Sequence, residues 1–589
     1  MTHDAEAVDR LPFGSPEKSA RYATDRYLGA TGLNWWRCDP TLQFLMRSYL
    51  DAGELAWAEP HLDRMGALMG GPVSARAELT DKNPPRLERY DRWGHDVSEV
   101  VLPQSFLDSR RDILADSFTT PAVRADASKH GVRNLTILGA AHSYMLDQAE
   151  IGMACALGTG GDMVVNLVRQ FAPPDVREHV LAKFESGEWA GETIQSLTER
   201  TGGSDLAELE TTATPDGDAW RINGFKWFAS NANGQAWVVL AKPEGAPDNT
   251  RGIATFLVLR ERRDGTRNGI RIRRLKDKLG TKAVASAEVE FADAEAFLLS
   301  GQSGGETGAG DGRGLARMME LTNGARLGIA MMGLGCARRA LVEAMCYARA
   351  RDAFGKPLSE QPLMQRKLAE LIVDVEAAQA LVFDGFDPKH RLRIGAPLIK
   401  LRASRLGITA ASDAIEVHGG NGYVENWPVA RILRDAQVNP LWEGPDNILC
   451  LDVRRGIERD QADVAFLDRL RSAVAAGPPD ETTALVGERV DQLAAAIDHW
   501  KTLDRTTAEA RLFPLAELMV DVYAGALLVA QAGFERDQLG TDRKSLIARL
   551  YARRHLADLG PWRGVDLPPE DLERFKDLWD GALVDNGVR

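Results

Sequence analysis

The spacing of apolar residues changes twice along the chain, and this limits the possible fold more than any other feature. Between Trp189 and Phe297, apolar and polar residues alternate, as in Trp220-Arg221-Ile222-Asn223-Gly224-Phe225 and Ala287-Glu288-Val289-Glu290-Phe291. A period of two puts successive side chains on opposite faces of a strand, so this stretch predicts a small β-domain. Turn signals at Pro215-Asp216-Gly217 and Asn223-Gly224 are expected to separate its strands. On both sides the apolar residues recur at helical spacing. Before the β-domain this covers residues 41–68, 105–116, 122–168 and 175–186; after it, 315–351, 365–386 and 394–418. Further helical units follow near 460–475, 483–504, 507–534 and 543–559. Asn83-Pro84-Pro85 stops helix, and an irregular segment is expected through Tyr90 and His95. The Trp35-Trp36 pair is expected to dock on a larger body.

At 589 residues the chain is too long for one core. The expected fold class is mainly α with a central β-domain. It divides into residues 1–188, 189–300, 301–455 and 456–589, with a Gly-rich loop at 300–314. A formal charge of −13 argues against nonspecific attraction to nucleic acid or an anionic membrane. Five scattered cysteines without C-x-x-C spacing predict a reducing compartment and neither a disulfide framework nor a zinc site. With no apolar leader, the expected location is cytoplasmic. The apolar stretch 518–534 carries Asp521 and is expected to be a buried helix, not a membrane span.

One carboxylate stands out. Glu443 lies between Trp442 and Gly444, and Pro445 follows where a helix could begin. A glutamate on such a loop, in apolar surroundings, has its pKa raised by burial toward the range of a general base. Taken alone, the same stretch is also that of a helix-start glutamate beside a buried tryptophan.

Four motifs in order carry a resemblance. Gln195-Ser196-Leu197-Thr198-Glu199-Arg200-Thr201-Gly202-Gly203-Ser204-Asp205 resembles T-E-x-x-x-G-S-D. Asn223-Gly224-Phe225-Lys226-Trp227-Phe228-Ala229-Ser230-Asn231 resembles N-G-x-K-x-[WF]-[IA]-[ST]-N. Arg351-Asp352-Ala353-Phe354-Gly355 is similar to R-x-x-F-G. Gly419-Gly420-Asn421-Gly422-Tyr423, Arg434-Asp435 and Trp442-Glu443-Gly444 complete the series. Together they resemble the acyl-CoA dehydrogenase superfamily. Asn83-Pro84-Pro85, the segment from Arg274 to Gly280 and the added tail are similar to its AidB-like branch. The resemblance implies an N-terminal helical domain, a middle β-barrel-like domain, a four-helix bundle and an extra C-terminal helical domain.

It also implies FAD as cofactor, an acyl-CoA substrate, an electron-transfer flavoprotein as acceptor, and no metal. Leu197 and Thr198 would meet the flavin ring edge, with Gln195 and Ala229 as further contacts. Phe228 would pack near the ring, although an ordinary core aromatic is the alternative, and Ser230 would bond at its N5 side. Gly203 and Ser204 would approach a phosphate, Ser204 also facing substrate. Arg351, with Phe354, would reach the flavin of a neighbouring subunit, which implies an obligate homo-oligomer, expected to be a homotetramer; a solvated helix-end arginine is the alternative. Gly419, Gly420 and Gly422 would approach the same flavin, and Trp442, Pro445 and Asn447 would add contacts. Glu443 would remove the α proton as the β hydrogen leaves as hydride to flavin N5. Arg326 matches an arginine at the substrate entrance, or is a surface salt-bridge partner.

Some positions depart from the family. Ala353, Pro362 with Gln361 before it, Asn323, Pro445 and Asn447 stand where other residues are usual. Two readings follow. One is a dehydrogenase for a short, branched or otherwise unusual acyl-CoA. The other is an AidB-like stress-response flavoprotein that binds duplex DNA and keeps vestigial dehydrogenase activity, for which Arg543-Lys544 and Arg553-Arg554 are the only tight basic clusters in an acidic tail. Nucleic acid is therefore not an expected partner. An oxidase or monooxygenase on the same scaffold is a third possibility.

Overall fold

The computed structural model describes residues 29–118, 120–158, 161–299 and 312–584. Most of the loop expected at 300–314 lies outside the described residues. Trp35 and Trp36 are buried in the N-terminal helical region, and the Trp35 indole donates to Ala30 O at 3.0 Å. Residues 41–68 form two helices, Pro40–Tyr49 and Ala52–Leu68. Asp51 divides them: its carboxylate caps the second helix while Glu54 reaches back to the Asp51 N–H, a reciprocal arrangement that sets a helix start. Residues 122–168 likewise divide into Pro121–Lys129, Leu135–Ala149, Ile151–Gly158 and Gly161–Phe171.

The segment expected to be irregular after Asn83-Pro84-Pro85 is a hairpin, Arg86–Tyr90 with Asp96–Val101. Its strands are short and highly charged, so no alternation announces them. Ser98 Oγ accepts from Ile272 N at 2.8 Å and fastens the hairpin to the β-domain.

Seven strands form that domain: Thr193–Ser196, Thr212–Asp216, Ala219–Ser230, Ala236–Pro243, Ala254–Leu259, Ile270–Leu275 and Ser286–Leu298. Ala236–Pro243 pairs with Ala254–Leu259 on one side and Thr212–Asp216 on the other. The pairings continue from Thr212–Asp216 through Ala219–Ser230 and Ser286–Leu298 back to Ala254–Leu259, which closes a barrel. Closure leaves those strands no free edge. Asn223-Gly224 is not a turn; it lies inside Ala219–Ser230, at a register shift. The glycine is required by close packing, because a Cβ there would come 2.4 Å from Thr211 Oγ1.

Gly314–Ala350, Pro362–Phe386, Gly395–His418 and Asp446–Asp460 form the helical bundle against which the barrel sits. Asp446–Asp460 passes through 455/456, where a domain boundary was expected, so bundle and tail share a helix. Among the described residues, Leu512–Leu539 is the one helix long and apolar enough to cross a membrane, and 72% of its apolar window is buried inside the protein. It is a core helix of the tail. Buried ions pin the tail to Pro362–Phe386: Glu376 accepts from Arg543 and Lys544, and Asp384 from Arg469 and Tyr523. None of the five cysteines is in a disulfide.

Candidate active site

The barrel side of the site is built on a buried ion pair. After Thr193–Ser196 the chain leaves the sheet, and Thr198 O accepts from Trp227 N at 2.9 Å. Directly behind, Lys226 donates to Glu199 Oε1 at 2.6 Å and to Leu240 O at 2.8 Å. Glu199 also accepts from the Thr211 hydroxyl and from Glu210 N at 2.6 Å. Burial pulls the Lys226 ammonium down to about 8, against the pull of Glu199. Burial likewise opposes the Glu199 charge, but Lys226 and the hydrogen bonds outweigh it, and its pKa stays lowered. Glu199 of the first motif and Lys226 of the second are thus a brace that holds Leu197, Thr198 and the following glycine turn in place.

Strand alternation decides which neighbours face the site. Phe228 and Ser230 point out of Ala219–Ser230 toward it; Phe228 is half exposed, and Ser230 Oγ lies 2.9 Å from Ser286 Oγ. Ala229 points the other way and is fully buried in the barrel core. Its side chain is therefore removed from the set of expected cofactor contacts. Lys278 also faces the site; its ammonium donates to Thr281 O and Val284 O, both at 2.8 Å, and burial pulls it down to about 8.

A second junction joins barrel and bundle. Gly280 packs on Arg434, where a Cβ would come 2.4 Å from the Arg434 carbonyl carbon, and Thr281 N donates to Asp435 Oδ1 at 2.6 Å. The segment Arg274–Gly280 and the Arg434-Asp435 pair, separate motifs in the sequence, are two halves of one contact. It lies at the end of Pro428–Ala436, the helix that leads into the Glu443 loop.

Glu443 adopts φ 54° and Gly444 φ 103°, ahead of a helix capped at Pro445. A left-handed glutamate is uncommon and needs support from its surroundings. Two buried cations supply it by gripping consecutive carbonyls. Arg326 Nε donates to Glu443 O at 3.1 Å, and Lys400 Nζ to Gly444 O at 2.8 Å. Arg326 is itself held by Asn323 Oδ1 at 2.9 Å and Asp452 Oδ2 at 2.5 Å. Burial raises the Glu443 pKa, and the Arg326 and Lys400 charges partly offset it. Burial also pulls Lys400 down to about 8.

These groups surround one cavity of about 1840 Å³. Gln195, Leu197, Thr198, Gly203, Ser204, Phe228 and Ser230 line it from the barrel side; Arg326, Trp442, Glu443 and Pro445 line it from the bundle side. Arg326 is neither at an entrance nor on the surface. It is 2% exposed, and its bonds make it a clamp on the Glu443 loop. Asn447 points outward, because the first turn of Asp446–Asp460 turns it away from the cavity toward solvent.

Arg351, Phe354, Gly419, Gly420 and Gly422 lie outside this cavity and form a second group. Tyr347, one turn before Arg351, stacks on His418 at 4.3 Å, and Asn421 Nδ2 donates to Tyr347 Oη at 3.1 Å. These contacts bring the two motifs side by side on the surface, where Phe354 is 98% and Tyr423 88% exposed. Gln361 Nε2 donates to Ala353 O at 2.9 Å, so two departures from the family pattern bond each other.

Sequence reasoning missed Lys400, Lys278, Asp452 and Tyr523. Lys400 had a signal, a lysine inside the apolar run Leu398-Ile399-Lys400-Leu401. A charged side chain at a core-facing position is a paired or functional one. Tyr523, more than seventy positions after Glu443, had none.

Comparison with known proteins agrees with this arrangement. Residues 195–294 match the acyl-CoA dehydrogenase middle domain, residues 312–458 the acyl-CoA dehydrogenase C-terminal domain, and residues 29–190 the adaptive response protein AidB N-terminal domain. The putative acyl-CoA dehydrogenase AidB of Escherichia coli (strain K12) is 32% identical over 426 residues, 68% of this chain and 75% of that protein. Acyl-CoA dehydrogenase family member 11 of Caenorhabditis elegans is 28% identical over 557 residues, 90% of this chain and 85% of the relative. The crystal structure of Caenorhabditis elegans ACDH-11 in complex with C11-CoA superposes with a TM-score of 0.80 at 25% identity, covering 90% of this chain and 93% of that one.

Proposed function

The chain belongs to the acyl-CoA dehydrogenase family, in its AidB-like branch, and from that premise we propose that it desaturates an acyl-CoA with Glu443 as the base. The family binds FAD. The cavity fits such a group: Thr198, Ser204 and Ser230 offer hydroxyls and Phe228 a ring on one wall, opposite Glu443. Its volume exceeds the roughly 300–1,000 Å³ of ordinary ligand sites, enough for a dinucleotide and a thioester together. When bound, FAD supplies the oxidant that takes the β hydrogen with its electron pair.

The chain's own residues do the rest. Glu443 accepts the α proton on its carboxylate. Burial raises the proton affinity of that carboxylate, and the Arg326 and Lys400 charges partly offset the rise. Their grip on the two carbonyls fixes the loop, so that the base meets the thioester in one orientation. The observation that carries this reading is Glu443 on the wall of the cavity that Thr198, Ser204 and Ser230 also line, its proton affinity raised and its backbone held.

The substrate is an acyl-CoA, supported by the relative solved with C11-CoA, and the electron acceptor is an electron-transfer flavoprotein. The surface of exposed Phe354 and Tyr423 beside half-buried Arg351 supports a homo-oligomer, a tetramer, in which it meets a second copy. Five cysteines, none of them in a disulfide, support a cytoplasmic location. The DNA-binding reading has less support. Arg543 and Lys544 are committed to Glu376, Arg553 to Glu570, and Arg554 to Glu370 and Asp374, which leaves little positive charge for phosphates.

Anaerobic titration of the purified flavoprotein with a panel of acyl-CoAs tests the proposal. Bleaching of the flavin band by at least one member is expected. If none bleaches it, the desaturase reading fails. Duplex DNA is expected to give no gel shift at physiological salt.

A further inference from the structure

The family match ends at residue 458, yet Tyr523, far into the tail, lines the same cavity as Glu443. We propose that Leu512–Leu539 closes the acyl end of the cavity and that Tyr523 is its specificity-determining wall, limiting the length of a hydrocarbon chain. The inference rests on the acyl-CoA reading and names the substrate class as straight saturated chains up to a set length, where the sequence left a short, branched or otherwise unusual group open.

The path from base to tail is traced by contacts. Arg326 holds the Glu443 carbonyl, and the next residue, Leu327, faces Gly385 on Pro362–Phe386. A Cβ on Gly385 would come 2.7 Å from Ile399 Cδ1 and 2.8 Å from Leu327 Cδ2. Leu327, Ile399, Gly385 and Tyr523 all line the cavity and form an aliphatic strip that ends on a ring, with His390, Arg391 and Arg393 elsewhere on the same lining.

That ring is fixed. The Tyr523 hydroxyl donates to Asp384, the residue before Gly385, and Phe466 packs edge-on against the ring at 5.4 Å. Asp384 also accepts from Arg469 of the tail, and His390 Nδ1 lies 3.4 Å from it. The carboxylate's charge is thus satisfied from within the protein. Along this strip a ligand meets hydrocarbon surface ending on a ring held by Asp384 and Phe466, which suits a methyl terminus.

The test uses the holoenzyme and straight-chain acyl-CoAs from butanoyl to hexadecanoyl, read both as flavin reduction rate and as calorimetric affinity. In the wild type, affinity should climb roughly fourfold per added methylene and then stop at a defined length. Tyr523→Leu should move that limit to longer chains, and Tyr523→Trp to shorter ones, with a loss of about tenfold or more on the longest, the value of two buried methylenes. Tyr523→Phe should keep the wild-type limit, because the ring and not the hydroxyl is the wall. Gly385→Ala narrows the passage without touching Tyr523 and should also shorten the limit, should Tyr523→Trp fail to fold. An identical length profile in every variant that folds overturns the proposal. If no acyl-CoA reduces the wild-type flavin, the desaturase reading falls while the affinity series still decides the wall.

Discussion

The two walls of the cavity treat buried charge in opposite ways. On the barrel wall Lys226 and Glu199 bond each other at 2.6 Å, and their remaining bonds go to barrel backbone and a hydroxyl. On the bundle wall Arg326 and Lys400 approach Glu443 through the carbonyls of Glu443 and Gly444, and Arg326 gives its other bonds to Asn323 and Asp452, none to the Glu443 carboxylate. Among the described residues no hydrogen bond or ion pair reaches the Glu443 carboxylate. A buried carboxylate bonded directly to an ammonium is a brace whose charge is fixed. One that feels cations through space and is not bonded to them can still take up and release a proton. The difference separates scaffold from chemistry, and it can be broken experimentally from either side.

The largest effect should come from Glu443→Gln. The amide is close in shape and cannot accept the α proton, so flavin reduction by acyl-CoA should fall by about 10³-fold or more, with flavin content and thermal midpoint unchanged. Reduction at the wild-type rate would remove Glu443 from the chemistry. Lys226→Met attacks the other wall. It leaves Glu199 buried without its ammonium, which should cost about 3–5 kcal/mol of stability by denaturant titration, with loss of flavin as Thr198 and its turn loosen. A variant as stable as the wild type would show that the pair braces nothing and that the two walls are alike.

Legibility in the sequence followed the range of the contacts. The barrel, the long bundle helices and most cavity residues were readable, because each motif lies within one strand, one helix end or one loop. Errors arose where a local signal met a distant partner. Asn223-Gly224 has turn composition, but close packing on Thr211 uses the glycine inside a strand. Ala229 shares a motif with Phe228 and Ser230, yet the two-residue period sends it into the core. Arg326 lies on a long helix whose facing partners, Glu443 and Asp452, are more than a hundred residues away. Nothing in its local sequence told a clamp from an entrance residue. In the tail's basic pairs, Arg543, Lys544 and Arg554 gave no local sign of their partners for the same reason, since Glu376, Glu370 and Asp374 come from the bundle helix Pro362–Phe386.

The smallest effect is the sharpest probe of the comparison. Glu443 must be ionised to act, so flavin reduction should rise with pH through its pKa, which burial has raised. The Lys400 charge works against that rise. Lys400→Met removes a cation, so the Glu443 pKa should climb further and the acid limb of the reduction rate should move to higher pH by roughly one unit. Lys400→Arg keeps the charge and a donor for Gly444 O, and should leave the limb near its wild-type position. The charges around Lys400 are Glu443, Asp446, Arg326 and Arg405, and Asp446 accepts from Arg405 Nε at 2.8 Å. A merely structural lysine would lower the rate equally at every pH. A limb that stays in place in Lys400→Met would mean that Lys400 only holds backbone, and that on this wall Arg326 alone answers the charge of the base.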